Sequence, residues 1–143
     1  MAASVVTCPG CGTRSRVRQA APGLPRCPSC AAYLPWLVES GEAGFAAEAR
    51  APVPVLVDLW APWCGPCHAV APVLERLAAR HAGRLKVVKV NVDEAPSLAA
   101  RFDASSIPLL VVLQGGEPVE RILGAQPLPA LEARLAPYLG APA

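Results

Sequence analysis

Aromatic residues are scarce in this 143-residue chain, at 5%, so any core must be built from Val, Leu and Ala. Charge is sparse too. Only 17% of residues are charged and 53% are hydrophobic, the reverse of the balance that keeps a chain disordered. A net charge of +2 lacks the one-sided excess that would point to nucleic acid or a membrane surface. Long apolar runs are missing as well. The longest stretch free of Asp, Glu, Lys and Arg, Leu59 to Leu74, is broken by three prolines, two cysteines and a histidine. A membrane span needs about 20 predominantly apolar residues, so none is expected. The N-terminal MAASVVTCPGCGTRSRVRQA has no apolar centre behind a basic start and does not read as a secretory signal. A reducing, cytoplasmic location is the expectation, and a framework of structural disulfides is not.

What the chain does carry is six cysteines in three C-x-x-C pairs: Cys8/Cys11, Cys27/Cys30 and Cys64/Cys67. Charge divides along the chain. Arg14, Arg16, Arg18 and Arg26 face Glu39 alone in residues 1–40, whereas the remainder is nearly balanced. Residues 1–33 show almost no apolar periodicity, and a segment that short needs a metal, disulfides or a partner to fold. A short strand, Trp36-Leu37-Val38, and a helix around Phe45–Ala49 follow. Val55 to Trp60 is a nearly continuous apolar run, as in a central strand covered on both faces. Residues 66–82 read as a helix with Val70, Val73, Leu74 and Leu77 on one side, kinked at Pro72. A strand over Leu85–Val92, a helix over Pro96–Phe102 and a strand over Leu109–Leu113 come next. Gly115-Gly116 turns the chain into Val119–Leu123, and Pro127–Leu139 reads as a terminal helix. Strands alternating with helices, then a hairpin and a helix, predict a three-layer α/β domain.

The first two pairs have the spacing of a four-thiolate zinc site, with fifteen residues between the knuckles. Each C-x-x-C turn presents two sulfurs to one side, and two turns complete a tetrahedron. Cys8, Cys11, Cys27 and Cys30 are therefore the expected ligands of one structural Zn²⁺, with redox disulfides or free thiols as the alternative. Zinc binding would supply much of the folding free energy of this segment. Oxidation of the thiols would release the metal. The nearby arginines offset the charge of four thiolates, and nucleic-acid binding is not the favoured reading, because one aromatic, Tyr33, makes a weak footprint.

The third pair, Cys64-Gly65-Pro66-Cys67, lies where the apolar strand turns into a helix. Unpaired N–H groups and the positive end of the helix dipole favour thiolate there, so Cys64 is the expected nucleophile. Cys67, one turn further in, is the expected resolving thiol. With His68 the segment also spells the C-x-x-C-H pattern of covalent haem attachment. The only methionine is Met1, the chain lacks a secretory signal, and the fold pattern is wrong for a small cytochrome, so haem is not expected.

The segment Val57-Asp58-Leu59-Trp60-Ala61-Pro62-Trp63-Cys64-Gly65-Pro66-Cys67 closely resembles the active-site signature of thioredoxins. The likeness covers about residues 36–140. It includes Pro72 in the active-site helix, the Lys89–Asp93 strand, Ser106-Ile107-Pro108 before a strand, Gly115-Gly116-Glu117 at a hairpin and Gly124-Ala125 before the last helix. With the cysteine knuckles ahead of it, the chain resembles the subgroup of bacterial thioredoxins with an N-terminal zinc ribbon. The resemblance implies a central mixed β-sheet flanked by helices over residues 34–143, preceded by a zinc ribbon over residues 1–33.

It also implies roles for individual residues. Asp58 would be a buried carboxylate with a raised pKa that accepts the proton of Cys67, tuned by Lys89. Pro108 would follow a cis peptide bond and face the cysteine pair. Trp63, Gly65, Pro66, Ile107, Pro108, Gly124 and Ala125 would form the surface that docks clients. His68 replaces a position often basic in the family. Leu109 stands where Thr is common, and Ser105-Ser106 where Gly or a basic residue is frequent, which alters the groove but not the chemistry. The expected function is reduction of protein disulfides, with electrons from a thioredoxin reductase, by a monomer that binds no nucleotide. An isomerase or oxidant, or a zinc-dependent chaperone or binding module, is the alternative.

Overall fold

A computed structural model describes residues 3–18 and 23–140. The ends of the two expected domains at residues 1–2 and 141–143, with residues 19–22, lie outside it. Two sheets are formed. Strands β1 (Ala3–Thr7) and β2 (Arg14–Arg18) make an antiparallel hairpin. The second sheet has the order β3-β5-β4-β6-β7, with β3 at Leu37–Glu39, β4 at Val55–Trp60, β5 at Lys86–Asn91, β6 at Leu109–Gln114 and β7 at Glu117–Leu123. β3 and β4 run parallel to β5, whereas β6 is antiparallel to both β4 and β7. The result is the α/β domain that the alternating pattern predicts, with the mixed sheet flanked by helices that the resemblance implies.

The central strand dictates the layering. Val55, Val57 and Leu59 point into one cluster with Phe45 and Phe102, from α1 (Phe45–Glu48) and the end of α3 (Pro96–Arg101). Leu56 points the other way, to Val70, Leu74 and Leu77 of α2 (Gly65–Arg80) and Leu131 and Leu135 of α4 (Leu128–Leu135). Side chains alternate along a strand, so Asp58 shares the α2 side with Leu56. The apolar run thus delivers a carboxylate to the underside of the helix that carries Cys67.

α4 stops at Leu135, short of the expected Leu139. Pro137 has no N–H to give Ala133, and its ring opposes further helix. The N–H groups of Tyr138 and Leu139 both turn back to the Leu135 carbonyl, and Leu139 still packs on the α2 side of the core.

The N-terminal segment is more ordered than its sequence suggests. Val17 is buried while Arg14 and Arg16 on the same strand are exposed, and Cys8 and Cys27 are each 2% exposed. These three join Leu34, Trp36 and Val38 in the same cluster as the β4 side chains. Cys8 and Cys27, just outside the strands, add to the buried set as small hydrophobes. Trp36 covers Lys86, whose Nζ lies 4.5 Å from the indole ring and 2.8 Å from Glu48 in a buried ion pair. Tyr33 lies against Gly83, just beyond the end of α2. A methyl group on Gly83 would sit 2.5 Å from the Tyr33 ring, and Gly83 has φ +85°. The Tyr33 contact thus lies at the far end of α2 from Cys64, about 24 Å along a 16-residue helix, whereas Val5–Thr7 of β1 border a cavity with Glu75 and Ala78 of that helix.

Two substitutions should move stability in opposite directions. Gly83→Ala combines positive φ with a ring collision and should cost roughly 2–3 kcal/mol in urea unfolding. Ala31 has φ +65° at the position equivalent to Gly12 in the other knuckle. Ala31→Gly relieves that strain and should stabilise by about 0.5–1 kcal/mol in the same measurement.

Candidate active site and metal centre

The two knuckles repeat one geometry. Cys8 N–H donates to Thr13 O at 2.8 Å and Gly12 N–H to Cys8 O at 2.9 Å. Cys27 N–H donates to Ala32 O and Ala31 N–H to Cys27 O, both at 2.8 Å. The four Sγ atoms all lie within 4.8 Å of one another. The Cys8–Cys30 and Cys11–Cys27 sulfurs, paired across the knuckles, are each 3.6 Å apart. A tetrahedron with Zn–S of about 2.3 Å has edges of about 3.8 Å, so the donor set fits a zinc ion and is consistent with a zinc ribbon. Gly10 N–H supports the Cys8 sulfur at 3.3 Å. The Thr13 hydroxyl, 3.1 Å from Cys11 Sγ, holds that thiol down to about 6, toward the ionised form that binds metal. Arg26 is committed elsewhere: it lies over the Tyr33 ring at 4.3 Å and donates to its hydroxyl at 2.6 Å.

The third pair forms a disulfide, Cys64–Cys67, with Cα atoms 5.2 Å apart. Cys64 is the N-cap residue of α2, and its sulfur accepts from the Cys67 N–H at 3.2 Å. The His68 N–H reaches the Cys64 carbonyl at 3.3 Å. Pro66 in the first turn lacks an N–H, and nothing is lost where the helix has no acceptor for one. Both sulfur-bearing residues are buried, Cys64 at 5% and Cys67 at 3% exposure, among Trp60, Ala61, Val92 and Ile107. Around this patch Gly65, Pro66 and Ala125 are exposed.

Ile107–Pro108 is a cis peptide bond. The Ile107 carbonyl oxygen lies 3.8 Å from Cys64 Sγ, and the Pro108 carbonyl accepts from Gly124 N–H at 2.9 Å. Gly124 has φ +81°, which suits a residue without a side chain at this turn. The structure therefore brings Ile107, Pro108 and Gly124 to the rim that the sequence assigns to docking.

Asp58 is 1% exposed, and neither carboxylate oxygen has a hydrogen-bond partner. Burial pushes its pKa up to about 6, a rise that the Lys89 charge restrains. Lys89 is the register partner of Asp58 on β5. Its ammonium lies 5.1 Å from the centre of the Trp60 ring and borders a cavity of about 210 Å³ with Glu39, Asn91 and Glu94. A carboxyl group that titrates near neutrality beneath a dithiol can hold or release one proton as a thiol is consumed.

Two further residues at the site escape sequence reasoning. Asp93 accepts from Trp63 Nε1 through both oxygens, at 3.3 and 3.0 Å. His68 meets the Pro62 carbonyl at 2.6 Å. No spacing rule signals a contact between side chains thirty residues apart, and His68 reads as part of a motif rather than as a donor.

The family model for thioredoxin matches residues 36–137. A thioredoxin of Alicyclobacillus acidocaldarius is 48% identical over 98 residues, covering 68% of this chain and 93% of the relative. Thioredoxin 1 of a Nostoc species is 49% identical over 87 residues, 61% of this chain and 81% of its own. A thioredoxin of Staphylococcus saprophyticus is 54% identical over 72 residues, 50% of this chain and 69% of its own.

Asp58 makes stability depend on pH with a definite sign. Folding raises its pKa from 3.8 to about 6, so the folded state holds the proton more tightly. Its contribution is most favourable below about pH 4, declines as pH rises to about 6 and is constant above that. Asp58→Asn should therefore stabilise the oxidised protein by roughly 2–3 kcal/mol at pH 8, with the gain vanishing near pH 4 in urea titrations. For the cluster, metal analysis of the purified protein should find one zinc per chain. Cys27→Ser should lose it, and zinc-free wild-type protein would refute the assignment.

Proposed function

The chain belongs to the thioredoxin family, and from that premise we propose that it reduces disulfides in client proteins by dithiol–disulfide exchange at Cys64 and Cys67. The observation that carries the reading is the disulfide at the N-terminus of α2, reached from a strand whose buried Asp58 has no hydrogen-bond partner for either oxygen. Once the pair is reduced, the first-turn N–H groups favour the Cys64 thiolate. Cys64 attacks one sulfur of the client disulfide. An S–S bond forms between Cys64 and the client, and the other client sulfur leaves as a thiolate that takes up a proton. Asp58 accepts the proton of Cys67, and the Cys67 sulfur attacks Cys64 Sγ. The mixed disulfide breaks, leaving the client as a dithiol and Cys64–Cys67 oxidised. Two electrons and two protons have passed to the client, and a thioredoxin reductase would restore them.

Trp63, Gly65, Pro66, Ile107, Pro108, Gly124 and Ala125 form the docking rim in this reading, and Lys89 moderates Asp58. The N-terminal residues 1–33 act as a ribbon in which zinc holds the fold, ahead of the redox domain of residues 34–143. The placement is cytoplasmic, where reduced thiolates persist and clients arrive oxidised one at a time, met by a monomer. No helix among the described residues is long and apolar enough to cross a membrane.

With dithiothreitol as electron donor, Cys64→Ser should lose protein-disulfide reduction to background. Cys67→Ser should accumulate a mixed disulfide with the client, visible as a mass adduct that reductant removes. Full turnover by Cys64→Ser would overturn the reading.

A further inference from the structure

The segment leading into Cys64 is pinned at two consecutive residues, and one of the pins is a side chain given no role above. His68 Nε2 lies 2.6 Å from the Pro62 carbonyl oxygen. A carbonyl oxygen can only accept, so Nε2 carries the proton in that contact whether the ring is neutral or charged. The same ring stands edge-on to Trp60, with centroids 6.2 Å apart and planes at 75°. His68 thus ties the first turn of α2 back to the loop that precedes it. One residue on from Pro62, the Trp63 indole N–H is held by the Asp93 carboxylate at the end of β5's following turn. Asp93 is itself fixed, since its N–H donates to the Asn91 side chain at 3.0 Å.

The second pinned residue, Trp63, directly precedes Cys64 and is 70% exposed. A large indole left in water yet hydrogen-bonded and anchored through its backbone is a surface prepared before any partner arrives. An ordered anchor spares a partner the entropy of immobilising it, and aromatic anchors dominate interface energetics.

We propose that His68 is a positioning residue that clamps the Pro62 carbonyl and so pre-organises Trp63 as the docking anchor for protein clients. This rests on the reading of the chain as a protein-disulfide reductase. His68 touches neither the client nor the reacting sulfurs. Its effect falls on substrates large enough to cover Trp63 and spares small disulfides that reach Cys64 alone.

The test compares the full-length wild type with His68→Ala and with His68→Gln, whose amide nitrogen reaches the position of Nε2. Insulin serves as the protein client and dithiobis-nitrobenzoate as the small disulfide. His68→Ala should raise KM for insulin roughly three- to tenfold, the worth of one lost hydrogen bond and one loosened side chain, with kcat held within about twofold. Its rate with the small disulfide should match wild type, and His68→Gln should restore KM. The Trp63 indole ¹⁵N signal should report larger fast motion in His68→Ala and wild-type order in His68→Gln. An unchanged KM for insulin, an equal loss on both substrates, or an unchanged indole order parameter would each overturn the proposal. If wild-type protein fails to reduce insulin, the reductase reading falls, and the indole measurement still decides whether His68 holds Trp63.

Discussion

Everything at the redox centre depends on the junction where a fully buried strand gives way to a helix. β4 is covered on both faces, so its end is fixed in space by its neighbours β5 and β6. α2 begins five residues later, with the Cys67 N–H aimed at the Cys64 sulfur. A loop could present two thiols, but it could not hold unsatisfied N–H groups on one of them without collapsing onto other acceptors. The rigid sheet makes the electrostatic bias toward thiolate permanent. Asp58 is a by-product of the same rigidity. Strand alternation leaves it no route to solvent, and its two oxygens remain without partners. A group held in that way is costly for the fold and useful for proton transfer.

The N-terminal ribbon is built into this structure rather than strung from it. Cys8, Val17 and Cys27 share a core with Val55 and Val57 of the central strand. Of the four clustered cysteines, Cys8 and Cys27 are buried and Cys11 and Cys30 exposed. The linker residues do the joining: Tyr33 seats on Gly83, Leu34 N–H reaches Pro25 O at 2.9 Å, and Trp36 roofs the Lys86–Glu48 pair. Any metal held by the four cysteines would bind on contacts that also pack the large domain.

Much of this was legible in the amino-acid sequence, for identifiable reasons. The apolar run at Val55–Trp60 marks the central strand, and its single acid marks the buried carboxylate. The paired spacing of Cys8/Cys11 and Cys27/Cys30 marks the cluster, and Gly12 marks the left-handed turn. The β1–β2 hairpin was not legible, because β2 buries a single apolar side chain, Val17, and β1 sets an exposed Val5 beside a half-buried Val6. Ala31 hid the second left-handed turn, since nothing about alanine signals φ +65°. Leu139 extended an apolar stripe past the point where Pro137 ends the helix. The pins on Trp63 were invisible because both are tertiary: one crosses thirty residues, and the other turns a motif histidine onto a backbone oxygen.

The seat of Tyr33 on Gly83 has a consequence for thiol traffic within one molecule. The chain holds six cysteines of two chemical kinds, and exchange between them would scramble both sites. Tyr33 is fastened beyond the last turn of α2 and Cys64 caps the first, so the length of that helix separates these two positions. The four ribbon sulfurs lie within 4.8 Å of one another and Cys64 is bonded to Cys67, so each thiol has an exchange partner of its own kind at hand.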